Sequence, residues 1–165
     1  MKRLFTFVLV SFLALSVFAA PLTKKEQKQL KKEAKALASE GWKSCGEKSV
    51  LEQVTAVYEY TNMLDKQGEP VYYVATAWQK TSSQRMSATM AISTCKMELV
   101  KKFAQEFEGK IDKNAKIRPG RIKVLSQLQK DEKGASKVMV TMACNREDMI
   151  KLNINRGIKN GEYLD

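Results

Sequence analysis

Histidine is absent from this chain. That excludes histidine-based nucleophile triads, histidine metal ligands and a histidine switch near neutral pH. With 8 glycines and 3 prolines in 165 residues, neither a collagen-like nor a low-complexity chain fits. The glycines stand singly, so there is no glycine-rich loop to cradle a phosphate. Three cysteines, Cys45, Cys95 and Cys144, match no zinc or redox spacing. Their odd number leaves at least one unpaired within the chain. Beyond residue 20 no apolar run is long enough to cross a bilayer.

What is present is an ordinary globular composition, 44% hydrophobic and 28% charged, of a length that suits one domain. The first segment reads as a secretory signal peptide: Lys2 and Arg3, then an apolar stretch from Leu4 to Phe18. Val17 and Ala19 set the expected cut after Ala19. No cysteine stands near it, so an unacylated, exported protein is expected, periplasmic or secreted. Loss of Lys2 and Arg3 takes the formal charge from +11 to +9. In an exported protein a disulfide is permitted, but with this much chain a core forms without one, and buried cysteines then act as small hydrophobes.

Residues 20–41 read as a basic N-terminal helix. Thr23 and Glu26 have capping-box spacing, Leu30, Ala34, Leu37 and Ala38 recur at helical period, and Gly41 suits the position just past the end. Trp42 is placed to pin that end. Residues 42–160 read as a single α+β domain. Ser49 caps a second helix carrying Leu51, Val54, Val57 and Tyr58, with Tyr58-Glu59-Tyr60 either helical or extended. Asp65 to Pro70 is a turn, and Val71 to Gln79 a strand with Val71, Tyr73, Ala75 and Ala77 on one face. Ser82 or Ser83 opens a long helix to about Glu108. Two rows, Ala88/Ile92/Cys95/Leu99/Phe103 and Met86/Met90/Met97/Val100/Ala104/Phe107, predict one broad apolar face upon a sheet. Gly109 to Gly120 reads as a loop.

Arg121 to Gln129 alternates, with Ile122, Val124 and Leu128 predicted on one side. The turn Lys130-Asp131-Glu132-Lys133-Gly134 joins it to Lys137–Cys144, where Val138, Val140, Met142 and Cys144 align. Asn145 caps a final helix ending near Gly157. The expected fold is thus a small antiparallel sheet of about three strands, covered by one long helix, with further helices at the N- and C-termini. Cys95 and Cys144 are expected to face the same interior, so Cys95–Cys144 is the favoured pair if any intrachain bridge forms.

The stretches GWK, LEQVTAVYEY, PVYYVATAW and SATMAISTCKMELVKKF, followed by IKVLSQLQK and VMVTMACNREDMI, resemble small exported proteins of the Bacteroidota with an LPP-twenty-like lipoprotein domain. The likeness spans roughly residues 41–160. It implies a long helix packed on a small antiparallel sheet and a cell-envelope location. It implies no activity and transfers no functional residue.

Chemistry-bearing constellations are few. Glu106 and Glu108 are two apart on a helix and do not face each other. Glu147 and Asp148 suit a helix start. Serines lack a partner base. Met86, Met90, Cys95 and Met97 could offer soft sulfur to cuprous copper, but their shared apolar rows read as core. No catalytic residue, cofactor or metal is therefore expected, and the chain reads as a non-catalytic envelope protein of structural or binding type. The most suggestive feature is basic: Lys101, Lys102, Lys110, Lys113, Lys116, Arg118, Arg121 and Lys123, against Glu106, Glu108 and Asp112. Such a patch attracts anionic polymers or lipid headgroups. The stretch lacks stacking aromatics, so no specific nucleic-acid recognition is expected. The partner is an envelope protein of unknown identity or an anionic surface.

Overall fold

The computed structural model describes residues 21–108, 111 and 116–157. The expected signal segment and its cut lie outside them, as do Lys110 and Lys113. The elements run α1 (Lys24–Ser39), β1 (Lys43–Ser44), α2 (Val50–Asn62), β2 (Tyr72–Thr81), α3 (Gln84–Glu106), β3 (Ile122–Glu132), β4 (Ala135–Asn145) and α4 (Arg146–Gly157). The α+β class holds. The sheet, however, has four antiparallel strands rather than three, in the order β1-β3-β4-β2. The added strand is a two-residue edge piece, too short to carry a pattern.

Local signals account for the element ends. Thr23 and Ser49 each form a complete capping box, with Glu26 and Glu52 respectively. At the end of α1, Gly41 takes φ +91°, and the Gly41 and Trp42 amides donate to the Ala38 and Leu37 carbonyls. This is a Schellman stop, and Trp42 beyond it is buried. The β3–β4 hairpin closes on Lys133-Gly134 alone, both at positive φ, as a two-residue primed turn requires. Lys130, Asp131 and Glu132, expected in the turn, instead extend β3 and pair with Lys137, Ser136 and Ala135. The Asn145 side chain accepts from the Asp148 amide at 3.1 Å and so caps α4. Tyr58-Glu59-Tyr60 resolves as helix within α2.

The sheet is covered on both faces, not on one. α3 lies on the face formed by Tyr73, Ala75, Ala77, Val138, Val140, Met142 and Cys144, and Met149 of α4 joins the same core. α2 lies on the opposite face, and α1 packs on α2 through Leu30 and Ala34. Tyr58 Oη ties the two helices by donating to Glu26 Oε1 at 2.6 Å.

Two sequence expectations about faces are corrected. In α3 the buried row is Ser87, Ala91, Cys95, Leu99 and Phe103, whereas Met86, Met90 and Met97 are exposed. Ala88, Ile92 and Phe107 of the expected face do flank this row, partly buried against the same core, and it is the methionines that fall outside it. Ser87 sits in the row with its hydroxyl donating to the Ser136 carbonyl at 2.7 Å. In β3 a bulge falls between Val124 and Ser126. Ile122 therefore faces α3, while Leu128 pairs with Met139 on the α2 side. One inserted residue exchanges the two faces of everything beyond it.

The thiols are all unbridged. Cys95 and Cys144 are both buried, yet the Cys95–Cys144 pair is not formed. Cys95 Sγ donates to the Val140 carbonyl at 3.0 Å. Cys144 lies four residues further along the same strand, about 13 Å away at strand rise, and its sulfur rests against Gly120.

Candidate functional site

The basic residues singled out by sequence do not form one face. Lys101 and Lys102 ride on α3, and Lys102 Nζ donates to the Val74 carbonyl at 2.6 Å, covering a backbone acceptor of β2. Lys123 lies on the opposite side of the sheet, where its ammonium meets the Tyr60 hydroxyl and stands 4.7 Å from that ring's centre. The Tyr60 bond raises its pKa. Lys116, Arg118 and Arg121 are exposed on the approach to β3, and the Arg118 backbone is held by both ends of the Asn153 amide, at 2.7 and 2.9 Å. Several of these cations thus have structural partners.

Two of the acidic candidates, Glu106 and Glu147, also have cationic partners. Glu106 receives Tyr73 Oη at 2.5 Å and Arg146 Nε at 2.7 Å, joining α3, β2 and α4. Partial burial pushes its carboxyl up, but the bonds from Arg146 and Tyr73 and the Arg146 charge outweigh this and hold it below the usual range. Burial and the Glu106 contact raise the Tyr73 pKa. Glu147 pairs with Lys151 at 2.5 Å on α4. Among the described residues no three cysteines or carboxylates gather as a metal-ligand set, and no helix is long and apolar enough to cross a membrane.

Among the described residues, two cavities of about 410 Å³ are lined mainly by polar loop and strand-end residues, around residues 46–48 and around residues 65–67. A third, bounded by α1, α2 and the sheet, has a larger apolar share and is a half-open groove of about 350 Å³. Leu37, Val54, Val57, Leu128 and Met139 give it an apolar lining. Thr76, Ser126 and Thr141 give it a hydroxyl row, and Glu33, Tyr58, Thr61 and Asn62 stand along its helical wall. Each side chain arrives there for a local reason. The β3 bulge turns Ser126 and Leu128 to this face, and Thr76 and Thr141 are register partners whose hydroxyls lie 2.9 Å apart. Gln53 anchors α2: its Nε2 donates to Ser44 Oγ at 2.6 Å and to the Lys48 carbonyl at 3.0 Å. Its Oε1 accepts the Gln127 amide at 2.7 Å, just beyond the bulge. The volume falls at the small end of small-molecule sites, and the mix of apolar walls and a few hydroxyls is their usual chemistry. The one available sequence signal was the alternation Tyr72/Val74/Thr76/Trp78, which marks a second strand face that is neither wholly apolar nor wholly charged.

No protein-family model matches the chain, and searches of curated proteins and of solved structures find no significant match. The resemblance to the LPP-twenty-like domain rests on its residue pattern alone.

Proposed function

We propose that this chain is a non-catalytic binding protein, exported to the cell envelope, whose groove between α1, α2 and the sheet takes a small molecule with an apolar body. The observation that carries the reading is the groove itself: about 350 Å³ of apolar-walled space on one sheet face, while the other face is closely packed. The signal-like start and the LPP-twenty-like pattern support the location. The absence of histidine and the structural engagement of Glu106 and Glu147 support binding rather than catalysis.

The neutral fluorophore N-phenyl-1-naphthylamine tests it. Its emission should rise saturably with one site per chain. Val57→Phe, which projects a ring into the groove from α2, should abolish the rise while the unfolding midpoint persists. Undiminished binding by Val57→Phe, or no binding by the parent chain, contradicts the reading.

A further inference from the structure

The register of the sheet sets three lysines side by side. Lys137 of β4 is the direct partner of Lys80 in β2 and of Lys130 in β3. Residues directly opposite share a face with Cβ atoms about 4.5–5.5 Å apart, and like charges so placed repel. One carboxylate answers the row: Glu132 lies 2.9 Å from Lys80 Nζ and 3.5 Å from Lys130 Nζ. Three cations less one anion leave a local charge of +2. Among the described residues Lys137 has no ion pair. Its ammonium stands 4.1 Å from the ring centre of Trp78 and 5.7 Å from that of Trp42. Trp78 is 57% exposed, although indole is among the larger apolar groups a chain can bury.

The row also has a definite place. Along a strand, same-face residues recur at about 6.8 Å, twice the rise. Next to the lysines comes the row Leu128–Met139–Trp78, and beyond it Ser126–Thr141–Thr76. Leu128, Met139 and that hydroxyl row line the groove. The lysine row therefore stands one step past its apolar floor, with Trp78 at the boundary between them.

We propose that the groove and the lysine row form one site for a single-chain amphiphile with a phosphate headgroup. This rests on the groove reading above and names its ligand class. The chain lies over Leu128 and Met139 between the sheet and α2, and the phosphate sits among Lys80, Lys130 and Lys137. Three ammonium donors suit the three terminal oxygens of a phosphate monoester, and charge-assisted bonds of this kind are the strong ones. The bound anion also relieves the repulsion that the apo row carries. Trp78 covers the junction, where an indole has apolar body on one side and polar surroundings on the other.

Dodecyl phosphate, below its micelle concentration, is the probe, read by displacement of N-phenyl-1-naphthylamine. It should bind at least tenfold more tightly than dodecyltrimethylammonium, and inorganic phosphate should not displace the dye. Lys137→Gln should weaken dodecyl phosphate about tenfold, the loss of one charge-assisted contact at a partly exposed site, and leave dye affinity unchanged. Lys137→Arg should restore it, and Lys80→Gln should act in the same direction as Lys137→Gln. Lys137→Gln relieves repulsion, so it should not unfold the chain. Equal binding of the two dodecyl ions, displacement by inorganic phosphate alone, or no effect of Lys137→Gln and Lys80→Gln overturns the lysine assignment while dye binding keeps the groove reading. Failure of the parent chain to bind the dye overturns both.

Discussion

The two faces of this one sheet differ in chemistry more than any two elements of the fold. Toward α3, β2 offers Ala75 and Ala77 and β4 offers Val138, Val140 and Met142, and the helix returns Ala91, Cys95, Leu99 and Phe103, all buried. The small β2 side chains let the helix come close, and Cys95 bonds a strand carbonyl. Toward α2, the same strands offer Thr76, Trp78, Lys80, Lys137, Met139 and Thr141. Period-two alternation lets a strand build two unrelated surfaces at once. The first holds the fold together. The second, covered only in part by α2, is relieved of that duty and can carry polar and charged groups that a closed core would exclude.

Truncation should expose this division most strongly. Leu99→Ala, at a site with no solvent exposure, should lower stability by about 2–5 kcal/mol, as buried leucine truncations do. Met97→Ala, 61% exposed two positions earlier on the same helix, should change it by less than about 0.5 kcal/mol. Urea denaturation of both variants gives the comparison, and similar midpoints would erase the distinction between the faces of α3.

Acid should weaken the two helix ties by the same mechanism. Hydrogen bonds from Thr23 and Tyr58 lower the Glu26 pKa from its ordinary 4.5 to about 2, and Glu106 is also lowered. A carboxyl depressed by folding contributes stability above its unfolded pKa, and that contribution is lost as pH falls through the folded value. Stability should therefore decline from about pH 4.5 toward pH 2, the window set by Glu26. Glu106→Gln should lower stability at pH 7, by about 1 kcal/mol for a partly exposed pair. Its deficit relative to the parent should shrink on acidification. A deficit that stays constant down to pH 2 would mean that the Glu106 charge does not matter.

The smallest effect is kinetic. Cys95 and Cys144 are buried and Cys45 is partly exposed, and burial raises the pKa of all three thiols. Thiol labelling of the reduced, folded protein should modify Cys45 first and the other two only on unfolding. Early labelling of Cys95 would mean that the α3 face opens more readily than its packing implies.

Much of this architecture was legible in the residues. Both capping boxes, the Gly41 stop, the hairpin turn and the Asn145 cap are local chemistry, written within a few positions of where each acts. What escaped depends on distant partners. Lys43–Ser44 becomes a strand only because Leu128 and Gln129 lie beside it. Hydrophobic periodicity found Cys95, Leu99 and Phe103 in the inward stripe of α3 but also drew in the exposed methionines, and it could not find Ser87, whose partner Ser136 is 49 residues away. The bulge before Ser126 leaves no compositional mark, yet it decides which side Leu128 takes. The lysine row was hidden, because Lys130 reads as part of a turn and only the tight closure at Lys133-Gly134 sets it opposite Lys137. Adding Lys80 requires the strand order, which puts β2 beside β4.

On the proposed function, one sheet face is scaffold and the other is a binding surface. Mapping amide and methyl chemical-shift changes across the protein as dodecyl phosphate is added tests it most directly. Changes should cluster at Thr76, Ser126, Lys137, Met139, Thr141 and the Trp78 indole, with Leu99, Val138 and Val140 unmoved. Changes centred on α3, around Met86, Met90 and Met97, with the groove residues unmoved, would contradict it.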